Sequence, residues 1–153
     1  MSGVAVERHR LLVTGDREWV DRDLIFSALT QLPNTTTVID GRAPGADTLA
    51  HFNAERLGMA TQRFRAYWSC KDYEADTGEQ CALADGRHHA VHGRPAGVIR
   101  NQRMLDEGHP TQAYAFHDDL GASRGTADMV RRALKRGLQV THFSHEHPEG
   151  VVL

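Results

Sequence analysis

The chain has 153 residues, of which 40% are hydrophobic and 25% charged, the composition of a single globular domain (residues 1–153) with its own core. Its formal net charge of −2 gives no electrostatic basis for broad nucleic-acid binding. No apolar run has the length of a membrane span and no signal-peptide core opens the chain, so no membrane partner is expected and the expected compartment is the cytoplasm.

Residues 1–9 carry no pattern and read as a loosely docked end. Arg10-Leu11-Leu12-Val13-Thr14, ended by Gly15, reads as a buried parallel strand. Asp21 is placed to cap a helix whose inner face is Leu24, Ile25, Ala28, Leu29 and Leu32. The β-branched run at residues 36–40 reads as a second strand. A Gly-containing loop at residues 41–47 follows it and leads into a helix burying Leu49, Ala50, Ala54 and Leu57, stopped by Gly58. A third strand is expected around residues 61–67. Residues 69–97 break the rhythm and read as an irregular insertion, either a lid or a metal-bound module. A helix resumes at residues 98–105, ending near Gly108, with Arg100 at its start. Residues 113–130 read as a strand, a Gly/Ser-rich turn and an amphipathic helix with Ala127, Val130, Ala133 and Leu134 on one face. A last strand is expected at residues 138–143, and the tail from Ser144 carries no signal. Strands alternating with helices predict an α/β fold: a Rossmann-like, doubly wound parallel sheet of about five strands.

Such a sheet binds ligands where strands feed helices, because unpaired backbone N–H groups and the helix dipole there favour an anion, typically a phosphate. The turn Ser123-Arg124-Gly125-Thr126 has this character. At the mouth of the first strand, Thr14 and Gly15 permit close backbone approach, Arg17 suits a phosphate and Asp16 a ribose hydroxyl; a tight turn with a solvated ion pair would use the same residues. Gly41 and Gly45 bracket the second loop, with Arg42 as a phosphate partner and Ala46 and Asp47 in the helical turn after it. Arg100 at a helix N-terminus is electrostatically unfavourable, which points to a functional role, and Asn101 beside it suits a ribose, a base or a backbone edge. Asp118 and Asp119 suit either acid/base work or a turn cap. The basic residues are 16 Arg and 2 Lys, which fits bidentate phosphate contacts and equally a GC-rich genome.

The two cysteines cannot form a disulfide framework, but with nearby histidines they have the donors of one tetrahedral zinc site. The expected ligands are Cys70, Cys81, His92 and one of His88 or His89, with Cys70, Cys81, His88 and His92 as the preferred set. Structural zinc is the one cofactor expected; a polar lid with incidental cysteines is the alternative.

Four motifs in this order, Val13-Thr14-Gly15-Asp16-Arg17, Asp40 through Asp47, Arg100-Asn101-Gln102-Arg103-Met104 and Ser123 through Met129, closely resemble the YspA-like branch of the SLOG superfamily of bacteria and actinobacterial phages. That superfamily includes the Lonely Guy phosphoribohydrolases and DNA-processing protein A. The resemblance implies the strand order 3-2-1-4-5, a nucleotide or nucleotide-derived ligand such as an ADP-ribose, homo-dimerisation and, for a phage-encoded chain, the host cytoplasm. Of the Lonely Guy phosphate-loop signature, Gly125-Thr126 is kept, the catalytic glutamate position holds Met129, Arg100 matches the arginine and Asn101 stands where the lysine is. The expected function is therefore ligand binding as a sensor or processing domain. The alternatives are a nucleoside-monophosphate N-glycosidase, with Arg100 holding phosphate and Asp128 or Asp118 assisting, and a nucleic-acid-binding module.

Overall fold

A computed structural model of the chain describes residues 8–153. The loose end expected at residues 1–9 lies mostly outside them, and His9 is not loose, since its carbonyl accepts the Thr37 N–H at 3.0 Å. The elements in order are β1 (Arg10–Gly15), α1 (Arg22–Leu29), β2 (Thr37–Asp40), α2 (Ala46–Arg56), β3 (Ala60–Arg63), α3 (Cys70–Thr77), α4 (Pro95–Asp106), β4 (Gln112–Phe116), α5 (Gly125–Lys135), β5 (Gln139–Phe143) and β6 (Val151–Val152). They form one sheet in the order β3-β2-β1-β4-β5-β6. The first five strands are parallel, and β6 runs antiparallel to β5 through Thr141↔Val152 and His142↔Val151.

Strand alternation divides the core into two layers. Leu11 and Val13 of β1 and Tyr114 and Phe116 of β4 turn to the face covered by α1 and α2, where they meet Ile25, Leu29, Ala50 and Ala54. Leu12, Ala113 and Ala115 turn to the other face, under Met104 and Leu105 of α4 and Met129, Val130 and Ala133 of α5. A fully buried side chain of this size contributes about 1.5–3 kcal/mol, so each layer fixes its helices firmly. Asp21 caps α1 by accepting the Leu24 N–H at 3.0 Å, and Gly58 ends α2 at φ +73°.

The structure differs from the sequence expectation at four places. β3 stops at Arg63: Phe64 still donates its N–H to the Asp40 carbonyl at 2.9 Å, and beyond it the chain makes no further strand pairing, with Phe64 and Ala66 buried. The insertion is not wholly irregular: α3 forms in it, and a hairpin around Gly86 joins Ala82 to His88. α4 starts at Pro95 rather than Val98, with proline in its first turn. Leu134 of α5 is 41% exposed, and Met129 takes the inward place.

Candidate functional site

The connection out of β1 runs to β2 on one side, and β4 lies on the other, so the C-terminal end of β1 is a topological switch point. A crevice of about 940 Å³ opens there, the size of pocket that encloses a nucleotide-sized ligand. Three expected loops contribute to it: Thr14 to Arg17 after β1, Gly41, Arg42 and Asp47 after β2, and Ser123 to Thr126 with Asp128 after β4. Arg100 and Asn101 of α4 complete the lining that the sequence indicated. Arg65, Trp68, Arg94 and His117 also line it; the first three sit in or beside the insertion, where no periodicity pointed to them.

The glycines at the site have different reasons to be glycine. A Cβ on Gly15 would collide with the Phe116 carbonyl and approach Ala46 Cβ to 2.6 Å, so this glycine lets α2 pack onto β1 and β4. Gly45 has φ +76° and lies against the Asp16 and Arg17 backbone. Neither Gly45 nor Ala46 lines the crevice; the Ala46 N–H donates to the Asp16 carbonyl at 3.0 Å and ties the first two loops together. Gly41 leaves room for the Arg100 side chain, whose Nε would be 2.8 Å from a Cβ there. Gly125 alone of these faces open space.

Arg100 lies in the middle of α4, not at its start. Its guanidinium donates to the Gly41 carbonyl at 2.6 Å and to Asn101 Oδ1 at 3.3 Å. Burial, and then the neighbouring Arg17 charge, lower its proton affinity against the opposing pull of Asp47 and Asp40. Asp47 accepts the N–H groups of Gly41 at 2.9 Å and Ala43 at 3.3 Å, so it shapes the second loop from within. Burial and the nearby Asp40 push its carboxyl up to about 7. Asp40 beneath it does not line the crevice: it is fully buried, accepts the Arg42 N–H at 2.8 Å and pairs with Arg63 at 3.0 Å. Burial raises its carboxyl as well.

At the start of α5, Ser123 Oγ accepts the Thr126 N–H at 3.1 Å. The Gly125 and Ala127 N–H groups have no intrachain acceptor among the described residues. Asp128 borders the crevice but is held by Arg131 at 2.7 Å, Arg132 at 2.9 Å and Asn101 Nδ2 at 3.1 Å. Asp118 lies outside the crevice lining and is taken up by His145, whose Nδ1 is 2.8 Å from it. Among the described residues, the guanidinium groups of Arg17, Arg42, Arg65, Arg94 and Arg124 make no hydrogen bond or ion pair to another part of the chain.

The insertion brings Cys70, Cys81, His88 and His92 together, with all four donor atoms within 4.8 Å of one another. Cys70 opens α3, Cys81 and His88 sit on the two arms of the hairpin, and His92 follows it. His89 instead stacks on Tyr73 at 5.6 Å, which leaves His88 as the histidine in the cluster. A tetrahedral ion with metal–sulfur bonds of about 2.3 Å and metal–nitrogen bonds of about 2.05 Å separates its sulfur and nitrogen donors by about 3.5 Å. The four sulfur–nitrogen distances here are 3.3, 3.5, 3.8 and 3.4 Å. His92 Nδ1 lies 2.7 Å from the Tyr67 carbonyl, which leaves Nε2 to face the sulfurs. Burial would raise the Cys81 thiol, but the Ala90 N–H and the facing His88, Cys70 and His92 draw it down to about 7. These four residues could hold a metal ion.

Three comparisons bear on this arrangement. Residues 9–70, from β1 to the first cysteine, match the model of the YspA, cpYpsA-related SLOG family. The Gene 61 protein of Mycobacterium phage D29 is 32% identical over 143 residues, which cover 88% of this chain and 95% of that protein. The structure of DNA processing protein A from Streptococcus pneumoniae superposes with a TM-score of 0.61 at 18% identity, over 89% of this chain and 50% of that one. At that identity the likeness is one of fold, and this chain spans half the pneumococcal protein's length. With strand order, crevice and extended relative in agreement, the chain belongs to the YspA, cpYpsA-related SLOG family.

Proposed function

We propose that this chain binds a nucleotide or a nucleotide-derived anion, of the ADP-ribose kind, in the crevice at the C-terminal edge of its sheet. The observation that carries the reading is the convergence of Arg17 and the half-buried Arg100 on a crevice whose far wall is the open N-terminus of α5. Guanidinium groups lining a crevice favour an anion in it, and free N–H groups at a helix start supply further hydrogen bonds. Thr126 on the same turn adds a hydroxyl.

Binding is better supported than hydrolysis. Base release needs a carboxylate free to take or give a proton, and Asp128 is clamped by two arginines while Asp118 is engaged by His145. Met129, in the position of the Lonely Guy glutamate, is buried in the core. The name of the pneumococcal neighbour raises DNA as a partner, but five of the arginines without a side-chain partner, Arg17, Arg42, Arg65, Arg94 and Arg124, line one crevice, and the chain has a net charge of −2. For the Cys/His cluster, two thiolates and two imidazoles suit zinc in a closed structural site.

The test is mass spectrometry of small molecules released from the denatured protein, followed by titration with adenosine monophosphate and ADP-ribose. A co-purifying or titrating nucleotide is expected, lost in Gly125→Asp, with no free base formed. Base release that disappears in Arg100→Ala would replace this reading with the hydrolase; retention on DNA at physiological salt would replace it with the nucleic-acid module. A protein that binds none of them would end it.

A further inference from the structure

Between β3 and α4 the chain contains α3, the hairpin and the four clustered donors, joined by polar and aromatic contacts, such as the Cys81 N–H to Glu74 at 3.0 Å and Tyr73 on His89, rather than by an apolar core. α3 has no buried residue. Its Ser69/Asp72 capping box, with Asp72 accepting the Ser69 N–H at 3.1 Å, is the local device that starts it. Isolated helices of eight residues are marginal in water. Within residues 69–94 the one buried side chain is Cys81. The hydrophobic burial that fixes α1, α2, α4 and α5 is thus absent here, and the donor cluster stands where a core would be.

The same segment forms one wall of the crevice. Trp68 lies two residues before Cys70, and Arg94 lies two residues after His92. The Gly93 N–H donates to the Trp68 carbonyl at 3.4 Å, so the two stretches run side by side next to the donors. The Trp68 indole rests over the first turn of α4, where a Cβ on Gly97 would come within 3.1 Å of its ring. Trp68 is nonetheless 47% exposed and borders the crevice. An exposed indole at the edge of a cationic pocket, with a free guanidinium beside it, is a stacking surface for a planar heterocycle.

We propose that the Cys70–Cys81–His88–His92 centre, loaded with zinc, is what holds Trp68 and Arg94 in place as the nucleobase wall of the crevice. The phosphate end of the ligand lies at α5, Arg17 and Arg100, and the base end at Trp68. The inference rests on the nucleotide reading and the zinc reading above, and it adds a dependence of one on the other. It also assigns Trp68 a binding role: zinc removal costs affinity for a nucleotide while leaving affinity for its phosphates nearly untouched.

The experiment uses the full chain, zinc-loaded and chelator-treated, with metal content measured on both and with ADP and inorganic pyrophosphate as separate probes. One zinc per chain is expected, lost in Cys81→Ser. On chelation the Trp68 fluorescence becomes more accessible to a neutral quencher, a change absent in Trp68→Leu. ADP binding weakens about tenfold on chelation and about tenfold in zinc-loaded Trp68→Leu, the size of one lost base stack. Pyrophosphate binding changes less than about twofold in each case, a margin well inside that stacking range. The Trp68→Leu protein keeps its zinc, which separates a lost wall from a lost fold. Equal ADP affinity with and without zinc would overturn the coupling, and equal affinity in Trp68→Leu would overturn the stacking role. A zinc-free protein with unaltered ADP binding would remove the metal and leave the nucleotide reading standing. Zinc-loaded protein that binds neither probe would end the nucleotide reading and this inference with it, while the metal content would still stand as its own result.

Discussion

Asp47 was legible as a site residue, though not its task. Its place after Gly45 suggested a helix-dipole partner or a ligand contact, and the structure puts its carboxylate inside the second loop, on the Gly41 and Ala43 N–H groups. The difference is one of burial, which a single sequence does not encode. Because burial and Asp40 raise its carboxyl from the ordinary 3.8 to about 7, the folded state binds its proton more tightly than the unfolded state does. The stability this supplies is complete below about pH 4 and is lost as pH rises toward 7. In Asp47→Asn that loss is removed, so the variant gains on the parent by on the order of a few kcal/mol between pH 4 and 7. Thermal midpoints across that range check this, and parallel profiles for the two proteins would contradict it. Arg100 lines the crevice, though not from the helix start that the sequence suggested: it is mid-helix, and what marks it is the space Gly41 leaves for its side chain.

Among the elements, those that bury an apolar stripe were legible and those that do not were missed. α1, α2, α5 and the strands β1, β2, β4 and β5 each show an apolar run or period and were placed within a few residues, whereas β3, Ala60-Thr61-Gln62-Arg63 with no buried residue, ends at Arg63 rather than near residue 67. α3 has no apolar face, so only Ser69, Asp72 and Gly78 could have signalled it, as a capping box and a left-handed stop at φ +73°. β6 is two exposed residues and gives no pattern at all. How the elements meet also separates Gly15 from Gly125. A methyl at Gly15 is driven between α2 and the β4 backbone, whereas one at Gly125 enters the open crevice. Gly15→Ala is expected to lose at least about 1–3 kcal/mol, the usual cost of overpacking. Gly125→Ala, in the first turn of a helix, is expected to be neutral or to gain up to about 1 kcal/mol. Chemical denaturation of the two variants distinguishes the roles, and equal losses would show that Gly125 is packed as Gly15 is.

For the molecule as a whole, the tail that carried no sequence signal proves to be a clasp. His145 stacks on Trp19 at 4.7 Å and places its two ring nitrogens 2.9 Å from Asp21 and 2.8 Å from Asp118. It thereby joins the β5–β6 connection to the start of α1 and to the turn after β4. Hydrogen bonds donated to Asp118 and then to Asp21 raise the imidazole above its ordinary 6.5. The stability this contributes is complete below that value and is lost as pH rises through the higher folded one. In Asp118→Asn the His145 titration, followed by NMR, is expected to fall back toward 6.5; an unmoved titration would mean that Asp21 alone sets it.

The position of the insertion has a consequence for how the chain closes on itself. Pairing Leu11 of β1 with Gln112 of β4 joins residues 101 apart, the longest ring in the sheet's construction. Closure entropy grows only with the logarithm of ring length, so the roughly two dozen extra residues from Cys70 onward add about 0.2 kcal/mol to that step. The crossover into β4 is therefore a place where a module can be gained, lost or exchanged at almost no entropic penalty to the sheet. One edge of the crevice can then diverge while the part built on β1 and α5 stays as it is.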